Sequence, residues 1–418
     1  MRCALLYLES GVQIMNVFLV GNGYDLHHAF PTSYINFVNV VCFLSERDNE
    51  EFATVGKVLG NIELQNKDEF IKKCYNQHFE IYNEALLPQE EVATVVDGAK
   101  KSCWFNYFRK CVSKNIKWID LEKEILTVIS AFEAFFEQDG ALTLSNNNVI
   151  FDLSAVPENK EHRFIIEKFG FFFEEMSESR IGRSRMMRIK DEYVVENVIG
   201  SQVFYLDTEK IVSFLYDDLC DVMLMLRLYM QLFVDGPAKE YARREIKPHW
   251  PHLPTPQSVY SFNYTNTIEL LYGNNMVDHI HGNTNSDIVL GVNPDEHDEV
   301  YSIDTTFLQF KKYFQRTFSK TDLSFIHKMR FAKKTPRSND TTLTVIGHSL
   351  DITDKDIIMQ IFDSAKEIKI LYHSDSSIKN QIKNLVRIYG KTGFDELRDA
   401  KALQFLPQNE IEWVYPNQ

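Results

Sequence analysis

The stretch NVFLVGNGYDLHHAFPTSY, residues 16–34, decides how this chain is read. Asn16–Val20 is a short apolar, β-branched run that stops on Gly21-Asn22-Gly23, the pattern of a buried parallel strand running into a glycine turn. Pro31-Thr32-Ser33 follows, and the hydroxyl of Thr32 or Ser33 can cap the amphipathic helix carrying Tyr34, Phe37, Val38 and Val41. Strand, glycine turn and helix make the opening of a βαβ unit.

The same alternation returns only after residue 257. Ser258–Asn263 reads as a strand, Thr267–Tyr272 as a short helix, and Val277–His281 and Ile288–Val292 as further strands. Residues 304–318 look helical. Thr342–Ile346 is a strand ending at Gly347-His348-Ser349-Leu350, and a helix runs from Asp354 to Phe362. Ile368–Tyr372 is a strand, 376–389 a helix and Leu403–Leu406 a last strand. Alternating strands and helices imply an α/β fold with a Rossmann-like parallel sheet. The intervening segment has another character. Asp120 caps a helix with Glu122 and Glu124 in its positive first turn, and Ile125, Val128, Ile129, Phe132, Phe135 and Phe136 recur at helical spacing. A second long helix covers 207–234, while 140–205 reads as irregular or β-rich. Pro248, Pro251, Pro254 and Pro256 close the helical region. The expected organisation is therefore a nucleotide-binding core of residues 15–45 plus 257–418, with a mainly helical insertion or cap, 46–256. Residues 1–14 form an N-terminal extension ahead of Met15, which could be the natural start.

Composition narrows the partners. Of 418 residues, 45 are Lys or Arg against 59 Asp or Glu, a formal charge of −14. Affinity for duplexes comes largely from neutralising phosphates, so the balance disfavours general nucleic-acid binding and leaves room for a small nucleotide held by backbone N–H groups. None of the six cysteines forms a C-x-x-C pair, so no structural zinc site is indicated. Their scatter fits a reducing compartment, and a cytoplasmic location is expected. The greasiest run, 211–234, is broken by Asp217, Asp218, Asp221 and Arg227, so it reads as a buried helix and no membrane association is expected.

Ligands of open parallel sheets bind at the carboxyl ends of the strands. Four polar clusters fall there. In the first, Gly21 and Gly23 allow close backbone approach to a phosphate, with Asn22 between them and Asp25 able to bind a ribose hydroxyl or simply cap a turn. In the second, Asn263 can hold a hydroxyl or a water, because an amide both donates and accepts; a turn-forming asparagine is the plainer reading. The third is His281-Gly282-Asn283. Histidine titrates near neutrality and suits proton transfer, though a hydrogen-bonded structural histidine is equally a reading of His281, and His27, His28, His279 and His348 compete for the role. The fourth is Gly347-His348-Ser349-Leu350. Two basic runs, Arg180/Arg183/Arg185/Arg188/Lys190 and Lys328/Arg330/Lys333/Lys334/Arg337, read as solvated loops or as phosphate contacts.

With FLVGNGYDLHHAFPTSY, WIDLEKEI, SFNYTNTIELLY, HIHGNTN and VIGHSLDITDKD in that order, the sequence resembles the AbiH family of phage abortive-infection proteins. More distantly it is similar to the sirtuin-like NAD-binding fold. That second resemblance implies nucleotide contacts from Gly21, Asn22, Gly23, Thr32, Gly347 and Ser349 and a catalytic Asn263 and His281; Asp25 and Thr265 complete the expected nucleotide-contacting set. Departures are clear: sirtuin deacetylases carry paired C-x-x-C zinc motifs that are missing here, and Asn263-Tyr264-Thr265 stands where that fold has Asn-x-Asp.

The resemblance implies an anti-phage effector that hydrolyses the nicotinamide glycosidic bond of NAD as substrate, with no metal. A phage or host trigger is expected, and a homo-oligomer is compatible with the sequence. The alternatives are a metal-dependent nuclease using the basic runs with Asp120 and Glu122, and a non-catalytic nucleotide sensor acting through a partner.

Overall fold

The computed structural model describes residues 15–47, 52–64, 68–112, 119–138, 142–145, 148–153, 160–174, 186–196, 204–244, 250–251, 256–273, 277–293, 305–321, 325, 341–400, 403–408 and 413–414. The extension 1–14 lies outside them. The chain divides into two compact units: one takes the N-terminal stretch to Phe30, Ala238–Asn283 and Lys320–Gln418, the other Pro31–Pro237 and Thr284–Ser319.

The first unit is built on six strands: β1 Met15–Val20, β2 Ser258–Ser261, β3 Val277–His279, β4 Thr341–Ile346, β5 Glu367–Tyr372 and β6 Gln404–Pro407. They lie in the order β3-β2-β1-β4-β5-β6, and every pairing is parallel. The N-terminal strand pairs on both sides: Val20 stands opposite Ser261 on one and Ile346 on the other. Strand side chains alternate between faces, so β1 is apolar at each position from Val17 to Val20 because both faces are covered. Val17 and Leu19 join Leu343, Val345, Ile368 and Ile370 in one core. Phe18 and Val20 join Val259, Ile346 and Leu371 in the other.

Four helices pack on the sheet's two cores: α1 Gly23–His27, α2 Thr267–Tyr272, α3 Lys355–Ser364 and α4 Asp375–Ala400, the last kinked at Gly390, where φ is 69°. Helices α3 and α4 cover the first core with Ile357, Ile358, Ile361, Leu385 and Ile388. Tyr24 of α1 and Ile268 of α2 cover the second. Each fully buried side chain of this size contributes roughly 1.5–3 kcal/mol, so helices on both faces hold the sheet together.

The second unit is mainly helical. Asp120 caps the helix Leu121–Phe136, its Oδ1 accepting from the Glu122 and Lys123 N–H groups. Ser33 is the cap of Tyr34–Ser45. The long helix Thr208–Met230 runs into a π-helical turn, Gln231–Asp235. The β-rich stretch contains a four-stranded antiparallel sheet of Leu142–Ser145, Asn148–Asp152, Met186–Ile189 and Phe173–Glu174.

One expected strand is absent. Residues 288–292 make only an isolated bridge, Val292 to Lys311. The Leu290 N–H donates to Gln315 Oε1 at 3.0 Å and its carbonyl accepts from Gln315 Nε2 at 3.2 Å. A side-chain amide thus satisfies the groups a neighbouring strand would have paired, which hydrophobic pattern cannot foretell. Among the described residues, no helix is long and apolar enough to cross a membrane.

Candidate functional site

The loops leaving β1, β2, β3 and β4 meet at the carboxyl edge of the sheet. The first and last interlock through glycine. Gly21 N–H donates to Ile346 O at 3.0 Å and Gly23 N–H to Gly347 O at 2.8 Å. A Cβ on Gly21 would stand 2.7 Å from His348 Cα, one on Gly23 2.8 Å from Gly347 O, and one on Gly347, whose φ is +65°, 2.3 Å from Tyr24 N. These glycines let two backbones touch, and the Gly21 and Gly23 N–H groups are spent on carbonyls. Asn22 between them is exposed.

Behind this contact lies a buried polar cluster. Asp25 is 1% exposed, and its Oδ2 accepts from Thr265 Oγ1 at 2.6 Å and Asn263 Nδ2 at 3.1 Å. Asn263 Nδ2 also donates to Gly21 O at 3.2 Å. The amide orientation follows, because a carboxylate and a carbonyl can only accept. Among the described residues, Asn263 Oδ1 is then left buried without a hydrogen-bond partner, in a residue 8% exposed. Such an atom costs free energy unless something donates to it.

His281, 4% exposed, points Nε2 at Asp354 Oδ1, 2.9 Å away. A carboxylate accepts, so in the neutral ring Nε2 carries the proton and Nδ1 the lone pair, the logic by which a carboxylate orients a histidine base. Asp354 Oδ2 lies 3.9 Å from His348 Nε2. His348 Nδ1 accepts the Leu350 N–H at 2.9 Å. The Phe262 ring packs edge-on against both imidazoles, at 5.2 Å from His281 and 4.4 Å from His348. The competing histidines are otherwise engaged. His279 meets Glu269 Oε1 and Asn263 O; His28 meets Tyr24 O and the Tyr272 hydroxyl; His27 is exposed and meets Gln408. Burial first, then Tyr272, holds the Tyr24 hydroxyl well above the usual tyrosine range, so it stays a neutral group.

At the contact of Gly23 with Gly347 opens a cavity of about 550 Å³, lined by Gly23 and Leu26 after β1, Gly347–Ser349 after β4, and Leu371 and Gln381 of β5 and α4 among others; Asp25, Asn263, Thr265 and His281 are not among its lining residues. The volume falls in the range of small-molecule sites. Of the expected contacts, Gly23, Gly347 and Ser349 line this cavity. Gly21, Asp25, Asn263 and Thr265 form the polar cluster, and His281 stands with Asp354. Thr32 is buried in the second unit. Sequence reasoning did not single out Asp354 or Gln381. The signal for Asp354 was an acidic residue just past the Gly347–Leu350 loop; nothing in the pattern marked Gln381.

The residues of the rival nuclease reading hold other posts. Asp120 is a helix cap, and Glu122 Oε2 lies 2.8 Å from Lys312 Nζ. Arg188 pairs with Glu174 and Asp191, and Lys190 donates to Phe171 O. The remaining members of both basic runs lie outside the described residues. Among the described residues, no three His, Cys, Asp or Glu side chains are grouped to hold a metal ion.

No curated protein and no solved structure matches the chain. The family model for bacteriophage abortive infection AbiH matches residues 17–373. That span runs from β1 through the Gly21–Asp25, Asn263–Thr265, His281 and Gly347–Asp354 clusters to the end of β5, and the chain belongs to the AbiH family of bacteriophage abortive-infection proteins.

Proposed function

We propose that, within abortive infection, this chain hydrolyses the bond between nicotinamide and ribose in NAD. The observation that carries the reading is the place of the cavity. In a sheet ordered 3-2-1-4-5-6, the strand order of doubly wound dinucleotide-binding folds, successive connections diverge between β1 and β4, and ligands lodge at the carboxyl ends there. The 550 Å³ cavity is lined from the β1 and β4 loops at that point. The likeness of the ordered motifs to the sirtuin-like NAD-binding fold supports the same assignment.

In this reading the dinucleotide occupies the cavity, and its nicotinamide ribose reaches Asn263 and His281. Asn263 Oδ1 accepts from a ribose hydroxyl or from the attacking water. Water adds to the ribose C1′ as the bond to nicotinamide breaks, through an oxocarbenium-like transition state. The pyridinium nitrogen takes the bonding pair and leaves as neutral nicotinamide, so no general acid is needed. The water's proton passes to His281 Nδ1, and Asp354 stabilises the resulting imidazolium. Products are ADP-ribose, nicotinamide and a proton, and loss of NAD arrests the infected cell.

The test is nicotinamide release by purified protein. His281→Ala and Asn263→Ala should each lower turnover by about 10²–10⁴-fold, with release unchanged in chelator. Phage protection that survives loss of both side chains would sink the mechanism.

A further inference from the structure

Gln381, which lines the switch-point cavity, carries an acceptor that no donor satisfies among the described residues. Gln381, on the second turn of α4, is 4% exposed. Its Nε2 donates to two backbone carbonyls, His348 O at 3.1 Å and Leu371 O at 3.2 Å. Carbonyls cannot donate, so the amide cannot be flipped, and Oε1 is fixed as the remaining atom. That oxygen is buried with no hydrogen-bond partner among the described residues, and Gln381 lines the cavity. The cavity is graded: Leu371 and His348 are buried with Gln381, whereas Ser349, His373, Ser376 and Asn380 are exposed at its rim.

We propose that Gln381 reads the exocyclic amino group of an adenine base, which seats in the buried end of the cavity with ribose and phosphates toward the hydroxyl- and amide-lined rim. This rests on the nucleotide reading above and adds the base that the site selects. The argument is one of complementarity. A buried oxygen that can only accept calls for an N–H or O–H donor on the ligand. The apolar neighbour Leu371 suits a flat ring, whereas a phosphate carries no donor and would meet the Gln381 oxygen with like partial charge. Adenine presents an amino group at that edge where hypoxanthine or guanine presents a carbonyl oxygen. Oxygen facing oxygen leaves both unsatisfied, so a site built this way discriminates strongly against the keto base.

The experiment uses the full chain and ligands that are not turned over. ADP-ribose, its hypoxanthine counterpart, its N6,N6-dimethyl counterpart and its adenosine 2′-deoxy counterpart are titrated calorimetrically. ADP-ribose and the 2′-deoxy compound should bind alike, and the two compounds without an exocyclic N–H should bind roughly 10- to 100-fold more weakly. Equal binding of all four, or loss confined to the 2′-deoxy compound, overturns the assignment to Gln381 while leaving a nucleotide site standing. No binding of any of the four overturns the nucleotide reading itself. Gln381→Leu, provided it unfolds at the wild-type denaturant midpoint, should bind the adenine and hypoxanthine compounds equally; a retained preference also refutes the proposal. The ligand series decides the matter even where that variant does not fold.

Discussion

Replacing Gly21 by alanine tests whether the glycine turn exists to bring two loops together. The new methyl would sit 2.7 Å from both His348 Cα and Cδ2 and 2.9 Å from Gly347 O. The carbon contacts fall short by about 0.8 Å of the roughly 3.5 Å at which carbon atoms meet. Two of the three atoms are backbone, so no rotamer change relieves them. β1 and β4 must part at their carboxyl ends, stretching the Gly21-to-Ile346 and Gly23-to-Gly347 hydrogen bonds of 3.0 and 2.8 Å. Overpacking plus weakened bonds should cost about 2–4 kcal/mol. Gly273 is the control: its φ is +65° but a Cβ there meets nothing within 4 Å, so Gly273→Ala should cost only the left-handed strain of about 1 kcal/mol. Urea unfolding of both variants, compared by midpoint at unchanged slope, measures the difference. If Gly21→Ala is no less stable than Gly273→Ala, the close-packing account is wrong and the glycine serves something else.

Asp354→Asn keeps the side-chain shape but lets an amide face His281 Nε2, so nicotinamide release should fall by about 10²–10⁴-fold with the unfolding midpoint nearly unchanged; undiminished release would remove Asp354 from the mechanism. Lys312→Met takes the ammonium from beside Glu122, whose side chain is only 14% exposed, and should cost about 3 kcal/mol in urea unfolding. Adding Glu122→Leu should restore most of that loss, and a double variant as unstable as the single one would speak against the ion pair. Burial pushes the thiols of Cys103 and Cys220 up to about 11, so at pH 8 they hold roughly a hundredfold less thiolate than an ordinary thiol with a pKa near 9. Mass-resolved alkylation should leave both unmodified long after a free thiol has reacted, and prompt labelling of either would contradict this.

What could be read ahead of the structure was whatever repeats along the chain. The run Asn16–Val20 and its later counterparts are rich in apolar and β-branched residues because both sheet faces are covered, and this marked all six strands of the parallel sheet to within a few residues. Capping chemistry is also local, so Asp120 and Ser33 were legible as helix starts. The 288–292 segment failed because Gln315, distant in sequence, satisfies its backbone.

The site divides in the same way. The sequence alone determined that glycines, amides and histidines would collect at strand ends, because a parallel sheet directs all its carboxyl ends to one edge. Only the tertiary structure decided their partners. It set Gly21 and Gly23 against Gly347 and His348, gave Asp25 to Asn263 and Thr265, and turned His281 toward Asp354. It also left the Asn263 and Gln381 oxygens buried without donors among the described residues. Hydrogen bonds between residues 33 to 242 positions apart depend on strand order and loop geometry, and no periodicity within a single segment encodes them.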